Sequence, residues 1–332
     1  MTDQRVPFGW SPDWAEAADG KPAARVVSEH RGFVDLVGAD GPLLATVSGR
    51  ILHEAEDARD LPAVGDWVTH AEPDDEGRVR VDRVLPRRTA VVRRAAGTDP
   101  EPQVVAANVD TVLVMSSLDG DLNPRRLERY LAVVAASGAD PVIVLSKLDA
   151  ADDAMSMITA VRSVADEVPI LPLSNVTGDG LDAVRSLVGD GETVAIVGSS
   201  GVGKSTLANA LLGEERLATG DVRDDGRGRH TTVRRELVPV PGGGVLLDTP
   251  GMRELQLWDE ESLADAFPEI AEAAERCRFA DCRHGSEPGC AVRAAVEAGD
   301  IRADRFESYV RLRDELDALA EEQEQRRRRR RR

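Results

Sequence analysis

The stretch Gly198-Ser199-Ser200-Gly201-Val202-Gly203-Lys204-Ser205 decides the fold of this 332-residue chain. It follows the apolar run Thr193-Val194-Ala195-Ile196-Val197 and precedes a segment with helical character. A strand, a glycine-rich loop and a helix in this order form a phosphate cradle, because backbone N–H groups and the helix N-terminus face the phosphates. Lys204 is one of only three lysines in the chain, so chance is a poor explanation for its place in the pattern.

Three further motifs accompany this loop, in a rotated order. Ser146-Lys147-Leu148-Asp149 and Ser174-Asn175-Val176-Thr177-Gly178 precede the loop, and Asp248-Thr249-Pro250-Gly251 follows it. In an ordinary GTPase the phosphate loop opens the domain and the base-reading motifs close it. The order found here predicts a circularly permuted guanine-nucleotide domain.

The two motifs ahead of the phosphate loop predict recognition of guanine. The Asp149 carboxylate can accept hydrogen bonds from guanine N1–H and N2–H₂, a pair of donors that adenine lacks. Lys147 would lay its stem along the base, and Ser174-Asn175 would offer a backbone N–H to guanine O6. The alternative is a strand that ends in a polar turn. We discount it because both motifs end predicted strands of one sheet, where ligands bind.

The remaining motif residues predict a site for phosphates and Mg²⁺. Lys204 is expected to bridge the β- and γ-phosphates, and the Gly251 N–H to meet the γ-phosphate. The predicted magnesium ligands are Ser205, Asp248 and Thr232, with Thr231 as the alternative to Thr232. The predicted GTP-binding residues are Ser146, Lys147, Asp149, Ser174, Asn175, Gly198, Ser199, Ser200, Gly201, Val202, Gly203, Lys204, Ser205, Thr206 and Gly251.

The residue after Gly251 bears on the rate of hydrolysis. Many GTPases place a glutamine there to orient water, but Met252 cannot do so, and intrinsic hydrolysis is therefore expected to be slow. His230, in the stretch Gly226-Arg227-Gly228-Arg229-His230-Thr231-Thr232, is the candidate catalytic residue. The glycines and charges of this stretch also fit a loop with no ligand role, and a lone histidine also fits a structural role.

All three cysteines lie within 14 residues of one another. Cys277, Cys282, His284 and Cys290 supply three thiolates and one imidazole, which satisfies a tetrahedral structural zinc site with no open position. The alternative is a set of buried structural thiols.

Composition limits the class of protein. The formal charge is −18 and hydrophobic residues make up 42% of the chain. This balance fits a globular protein and argues against nonspecific nucleic-acid binding, so any RNA contact must come from local basic patches. We find no signal peptide and no apolar run of membrane-spanning length, and we therefore expect a cytoplasmic protein with no membrane partner.

The pattern along the chain divides it into five parts. Residues 1–23 form an irregular lead, and residues 24–95 carry about five short strands with turn signals, which favour an OB-fold over another small barrel or a sheet packed on the next domain. A linker at 93–103 leads to residues 104–262, where strands alternate with helices as in an α/β GTPase domain. Residues 263–325 form a mostly helical zinc-binding domain. Residues 326–332 form a poly-arginine tail, expected to be a disordered arm when free.

These motifs together resemble the RsgA-type family, the circularly permuted bacterial GTPases that depend on the small ribosomal subunit. The resemblance covers roughly residues 24–315 and includes Val64-Gly65-Asp66-Trp67-Val68 and Ala107-Asn108-Val109-Asp110. It implies an OB-fold, a permuted GTPase domain and a zinc domain. It also implies GTP hydrolysis stimulated by the 30S subunit during late maturation of that subunit, with His230 as the switch histidine.

The resemblance implies partners and leaves two alternatives open. The partners are the 30S subunit with its 16S rRNA and GTP or GDP, with the protein a monomer. Two motif residues depart from the family pattern: Ser146 replaces Asn or Thr, which is expected to weaken loop bracing, and Asn175 replaces Ala. The alternatives are a GTP-gated RNA-binding module with negligible turnover and a permuted GTPase of large-subunit assembly.

Overall fold

A five-stranded barrel forms the N-terminal part of the chain. In the computed structural model, which describes residues 2–30, 32–94, 102–119, 122–165, 167–214, 235–248 and 260–330, its strands close in the order β1-β2-β3-β5-β4-β1. Apolar side chains at alternate positions, such as Val26, Leu36 and Val68, fill its interior. The predicted barrel is therefore confirmed. Its elements are β1 (Ala23–His30), β2 (Phe33–Gly38), β3 (Gly41–Val47), β4 (Trp67–His70), β5 (Val79–Val84) and a short helix, α2 (Gly49–Glu54).

The N-terminal lead, which we predicted to be irregular, contains the helix α1 (Pro12–Ala18). Pro12 occupies the first turn, where its missing N–H costs nothing. Trp14 and Ala18, one helical turn apart, are both buried. The Trp14 ring lies 5.9 Å from that of Trp67 on the barrel. Packing against the barrel therefore orders this short segment.

Two paired strands, β6 (Ala90–Arg94) and β7 (Pro102–Ala107), extend into both ends of the predicted linker at 93–103. They run antiparallel, with Ala90 opposite Ala107 and Arg94 opposite Pro102. β-branched residues on both sides favour extended backbone, and each strand supplies the other's hydrogen bonds. The expectation of a plain linker is therefore wrong at its two ends, where residues 93–94 belong to β6 and residues 102–103 to β7.

The central domain is a mostly parallel sheet covered on both faces. Strand order is β10-β9-β8-β11-β13-β12, and among the described strands of this domain only β12 runs antiparallel to its neighbour there. Alternate residues of β8 enter two separate cores, Val112 and Val114 on one face and Leu113 and Met115 on the other. The predicted α/β architecture is confirmed. Its elements are β8 (Thr111–Ser117), α3 (Pro124–Ser137), β9 (Asp140–Ser146), α4 (Ala154–Arg162), β10 (Ile170–Pro172), α5 (Leu181–Arg185), β11 (Thr193–Gly198), α6 (Lys204–Leu212), β12 (Glu236–Pro239) and β13 (Val245–Asp248).

The barrel and the central sheet are joined. β1 pairs with β12 through Ser28 and Glu236, so a single eleven-stranded sheet runs through both. The fully buried Arg25 donates to the Asn108 carbonyl at 3.1 Å and to Thr193 Oγ1 at 2.8 Å. Burial lowers the pKa of Arg25 to about 10, against the opposing charges of nearby carboxylates. The buried Arg25 side chain therefore holds the barrel against the start of β11 through these hydrogen bonds.

The C-terminal part is helical, with α7 (Glu260–Ala266), α8 (Pro268–Ala274), α9 (Ala291–Ala298) and α10 (Ala303–Arg330). The last helix continues into the arginine run, where we expected a disordered arm. No glycine or proline occurs between residues 303 and 330, and arginine is a good helix former, so the sequence contains no helix-breaking residue in this range. Among the described helices, none combines the length and the apolar character that crossing a bilayer needs.

Candidate functional site

The phosphate loop connects β11 to α6 at the carboxyl edge of the sheet. Gly201 and Gly203 have φ of 76° and 94°, in the left-handed region that glycine tolerates best. A Cβ on Gly198 would lie 2.4 Å from the Met115 carbonyl oxygen, so only glycine fits beside β8. Lys204 Nζ donates to the carbonyl of Gly198 at 2.8 Å and to that of Ser199 at 2.5 Å. The loop thus closes around an ammonium at the N-terminus of a helix, which suits an anion.

The predicted magnesium ligands are described only in part. Ser205 and Thr206 lie in the first turn of α6. Asp248 is the last residue of β13, which runs parallel beside β11 with Val245 opposite Thr193. Its backbone is therefore at the same edge of the sheet as the phosphate loop. His230, Thr231, Thr232, Gly251 and Met252 lie outside the described residues.

The base-reading residues are held at the ends of the two neighbouring strands. Lys147 and Asp149 follow β9, and Ser174 follows β10. The buried Ser174 hydroxyl donates to Asp149 Oδ1 at 2.5 Å. The Ser174 Oγ itself accepts hydrogen bonds from the N–H groups of Val176 at 3.2 Å and Thr177 at 3.0 Å, which fix the hydroxyl in place. One Asp149 carboxylate oxygen is thereby fixed, which orients the carboxylate before any ligand arrives.

Two base-side residues reach the phosphate loop itself. Ser146 Oγ donates to the Val202 carbonyl at 2.6 Å, so the hydroxyl braces the loop directly. Asn175 Nδ2 lies 3.5 Å from the carbonyl of Gly203. The buried Asn175 Oδ1 finds no hydrogen-bond partner among the described residues. We had expected only the Asn175 backbone to matter, and its side-chain contact was not predicted.

Sequence reasoning also missed Asp119. Lys147 Nζ lies 2.6 Å from Asp119 Oδ2, and Ser117 Oγ donates to Asp119 Oδ1 at 2.8 Å. The available signal was positional: an acidic residue soon after a buried parallel strand stands at the edge where ligands bind.

The cysteine cluster lies between α8 and α9. The four candidate ligand atoms of Cys277, Cys282, His284 and Cys290 are all within 4.8 Å of one another. Cys277 Sγ is 3.9 Å from Cys290 Sγ and 3.7 Å from His284 Nδ1. A tetrahedron with Zn–S bonds of ~2.3 Å has edges of roughly 3.7 Å, so this donor set fits zinc.

The surroundings of the cluster favour metal binding over isolated thiols. The N–H of Ala291 donates to Cys277 Sγ at 3.3 Å, and that of Arg293 to Cys290 Sγ at 3.5 Å. Such N–H donors stabilise thiolates. Burial and the nearby charge of Arg313 lower the pKa of His284, which keeps the imidazole in the neutral form that coordinates metals.

Comparison with known proteins adds to this geometry. A family model described as RsgA GTPase matches residues 84–258. The small ribosomal subunit biogenesis GTPase RsgA of Opitutus terrae is 48% identical over 303 residues, covering 88% of this chain and 83% of the relative. The protein of the same name from Streptomyces coelicolor is 46% identical over 315 residues, covering 92% of this chain and 84% of the relative.

Solved structures give the same result for the fold. The crystal structure of YjeQ from Thermotoga maritima superposes with a TM-score of 0.63 at 27% identity, covering 89% of this chain and 98% of the other. YloQ, described as a circularly permuted GTPase, superposes with a TM-score of 0.60 at 22% identity, covering 90% of this chain and 96% of the other. The predicted permutation of the domain is confirmed.

Proposed function

Because this chain belongs to the RsgA GTPase family and is a GTP-hydrolysing enzyme, we propose that it acts on the small ribosomal subunit during late maturation. It binds the 30S subunit through 16S rRNA, hydrolyses GTP faster when bound, and leaves the subunit after hydrolysis. The names of its relatives, which refer to biogenesis of the small ribosomal subunit, support this assignment. A monomeric, cytoplasmic protein is consistent with the proposal.

The observation that carries the nucleotide assignment is the Ser174–Asp149 hydrogen bond beside the phosphate loop. It leaves a carboxylate oriented to accept from guanine N1–H and N2–H₂. Lys147 and the Asn175 backbone N–H complete the base site. A site built to pair a polar edge rejects a base that lacks it, which explains selection of GTP over ATP.

At the other end of the nucleotide, chemistry depends on positioning and charge. Phosphoryl transfer involves little covalent participation by the protein. With nucleotide bound, Lys204 and the backbone N–H groups from Gly201 to Lys204 would contact the β- and γ-phosphates. Ser205, Thr232 and Asp248 would hold the Mg²⁺ that accompanies GTP and neutralises phosphate charge.

The cysteine cluster has a structural role. Cys277, Cys282, His284 and Cys290 together would hold one Zn²⁺ with all four positions filled by protein. A closed site offers no position for substrate, so zinc would contribute folding energy to the C-terminal helices and take no part in hydrolysis.

Hydrolysis of GTP needs a group that orients the attacking water, and the residue at the usual position for that group is unsuited to the task. Met252 follows Gly251, and its thioether cannot orient water, so the 30S subunit is proposed to complete the catalytic site together with His230. A missing element supplied in trans is worth up to about 10³–10⁵ in rate.

We expect purified 30S subunits to raise the rate of GTP hydrolysis at least about tenfold. A phosphate-release assay on the full-length protein with 30S, with 50S and alone measures this directly. Stimulation by 50S should be much weaker. His230→Ala should lose most of the 30S effect while retaining nucleotide binding, and full stimulation of that variant would remove the histidine from the mechanism.

The second candidate function, a GTP-gated RNA-binding module with negligible turnover, is favoured only by Met252. The same assay separates the two. If 30S subunits left the rate unchanged but still bound the GTP-loaded protein, the binding module would become the better description.

A further inference from the structure

Asp119 and Lys147 meet because two parallel strands end side by side. β8 pairs with β9 so that Ser117 stands opposite Ser146, and the Leu118 N–H extends the ladder to the Ser146 carbonyl at 2.8 Å. Asp119 and Lys147 are the next side chains beyond this point. Lys147 Nζ approaches Asp119 Oδ2 to 2.6 Å, and each side chain is about a third exposed.

The backbone at Lys147 adds a second observation. Its φ is 59°, a left-handed conformation that is uncommon for a residue with a side chain. The following N–H, that of Leu148, is fixed to the Leu173 carbonyl at 3.1 Å. The backbone next to Lys147 is therefore held by Leu173, the residue after β10, and the Lys147 ammonium is held by Asp119.

We propose that Asp119 is a positioning residue for guanine nucleotides, which holds Lys147 so that its stem lies along the base. The inference rests on the proposed function, because it concerns the same nucleotide site. A lysine side chain that is already ordered loses less conformational freedom when the ligand binds. Asp119 thus acts through Lys147 and need not touch the nucleotide.

The direction in which nucleotide affinity changes when the Asp119 carboxylate is removed distinguishes a positioning role from a purely electrostatic one. Asp119 carries a negative charge close to the site of an anionic ligand. If only its electric field mattered, removing the carboxylate would tighten nucleotide binding. Positioning predicts the opposite, because the freed Lys147 must be ordered again by the ligand.

The test is calorimetric titration of GDP and GTP into wild type, Asp119→Ala, Asp119→Asn and Asp119→Glu. We expect Asp119→Ala and Asp119→Asn to lower the affinity for GDP and for GTP about three- to tenfold. This is the size expected for one long side chain that must be ordered on binding. The ratio of GTP to GDP affinity should stay the same, because Lys147 contacts the base. Glu should recover part of the loss. In steady-state hydrolysis, KM should rise while kcat changes less than about twofold.

Two controls isolate the pair. Asp182→Asn makes the same charge change at a fully exposed aspartate of α5, which lies 3.5 Å from Arg185, and should leave both affinities unchanged. In a Lys147→Ala background, Asp119→Ala should add less than a twofold further loss, because the interaction is already absent.

Three results would overturn the inference: affinity of Asp119→Ala equal to wild type, affinity tighter than wild type, or a full additional loss in the Lys147→Ala background. A wild-type protein that binds no guanine nucleotide would overturn the proposed function itself, and the inference with it. Thermal unfolding of each variant shows whether the fold is intact.

Discussion

Asp149→Asn is expected to weaken GTP binding by at least about 100-fold. The carboxylate accepts two hydrogen bonds from guanine, and bonds to charged groups contribute about 1.5–3 kcal/mol each. An asparagine amide facing the base would oppose its N–H donors with another N–H. The loss should appear equally for GDP, since the contact is with the base. Titration calorimetry measures it directly.

The Ser174 contact determines how the variant should behave with other bases. The Ser174 hydroxyl donates to Asp149 Oδ1, and an asparagine would keep that bond by turning its oxygen toward Ser174. Its NH₂ then faces the base, where it can donate to the additional carbonyl of xanthine. We therefore expect a shift of preference toward xanthine nucleotides. Asp152→Asn, the same change at an exposed neighbour, is the matched control. Unchanged GTP affinity in Asp149→Asn would refute the base-reading role.

Loss of one cysteine ligand is expected to unfold the chain beyond about residue 267. Zinc bound at such a site contributes about 10–16 kcal/mol of apparent free energy at neutral pH, which exceeds the stability of most domains. The helices α8 and α9 have seven and eight residues, too few to be stable alone. Cys290→Ser should therefore lose metal and become sensitive to protease in this region.

Elemental analysis and limited proteolysis together test this. Wild type purified without chelators should contain one zinc per chain. Ser286→Ala, a change in the same loop at a residue that is not a ligand, should keep both metal and protease resistance. Absence of zinc from the wild-type protein would refute the assignment, and the thiols would then be structural residues of the core.

Local patterns in the sequence determine much of this structure. The strand leading into Gly198 and the strand ending at Ser146 were found from apolar runs followed by motifs, because burial in a parallel sheet and ligand binding at its edge leave local signals. The spacing of the cysteines likewise predicted a cluster whose ligand atoms do lie together.

What the sequence did not reveal depends on partners distant along the chain. Arginine is usually a surface residue, yet Arg25 is buried. Its hydrogen-bond acceptors include residues 83 and 168 positions away along the chain. β12 is recognisable only through its pairing with β13 and with β1. Asp119 follows an apolar strand, but nothing local indicates that Lys147 is its partner. The burial and pairing of these residues are determined by tertiary packing, and the periodicity of the sequence carries no information about it.

The contacts from Ser146 to the Val202 carbonyl and from Asn175 to the Gly203 carbonyl have a thermodynamic consequence. They connect the part of the site that reads the base to the part that holds the phosphates. Any ordering of one part by a ligand then reduces the entropy that remains to be lost in the other, and linkage requires this to act in both directions. Guanosine and pyrophosphate, offered as separate fragments, should therefore bind cooperatively. The binding free energy of the whole nucleotide is therefore not the sum of independent contributions from the base and from the phosphates.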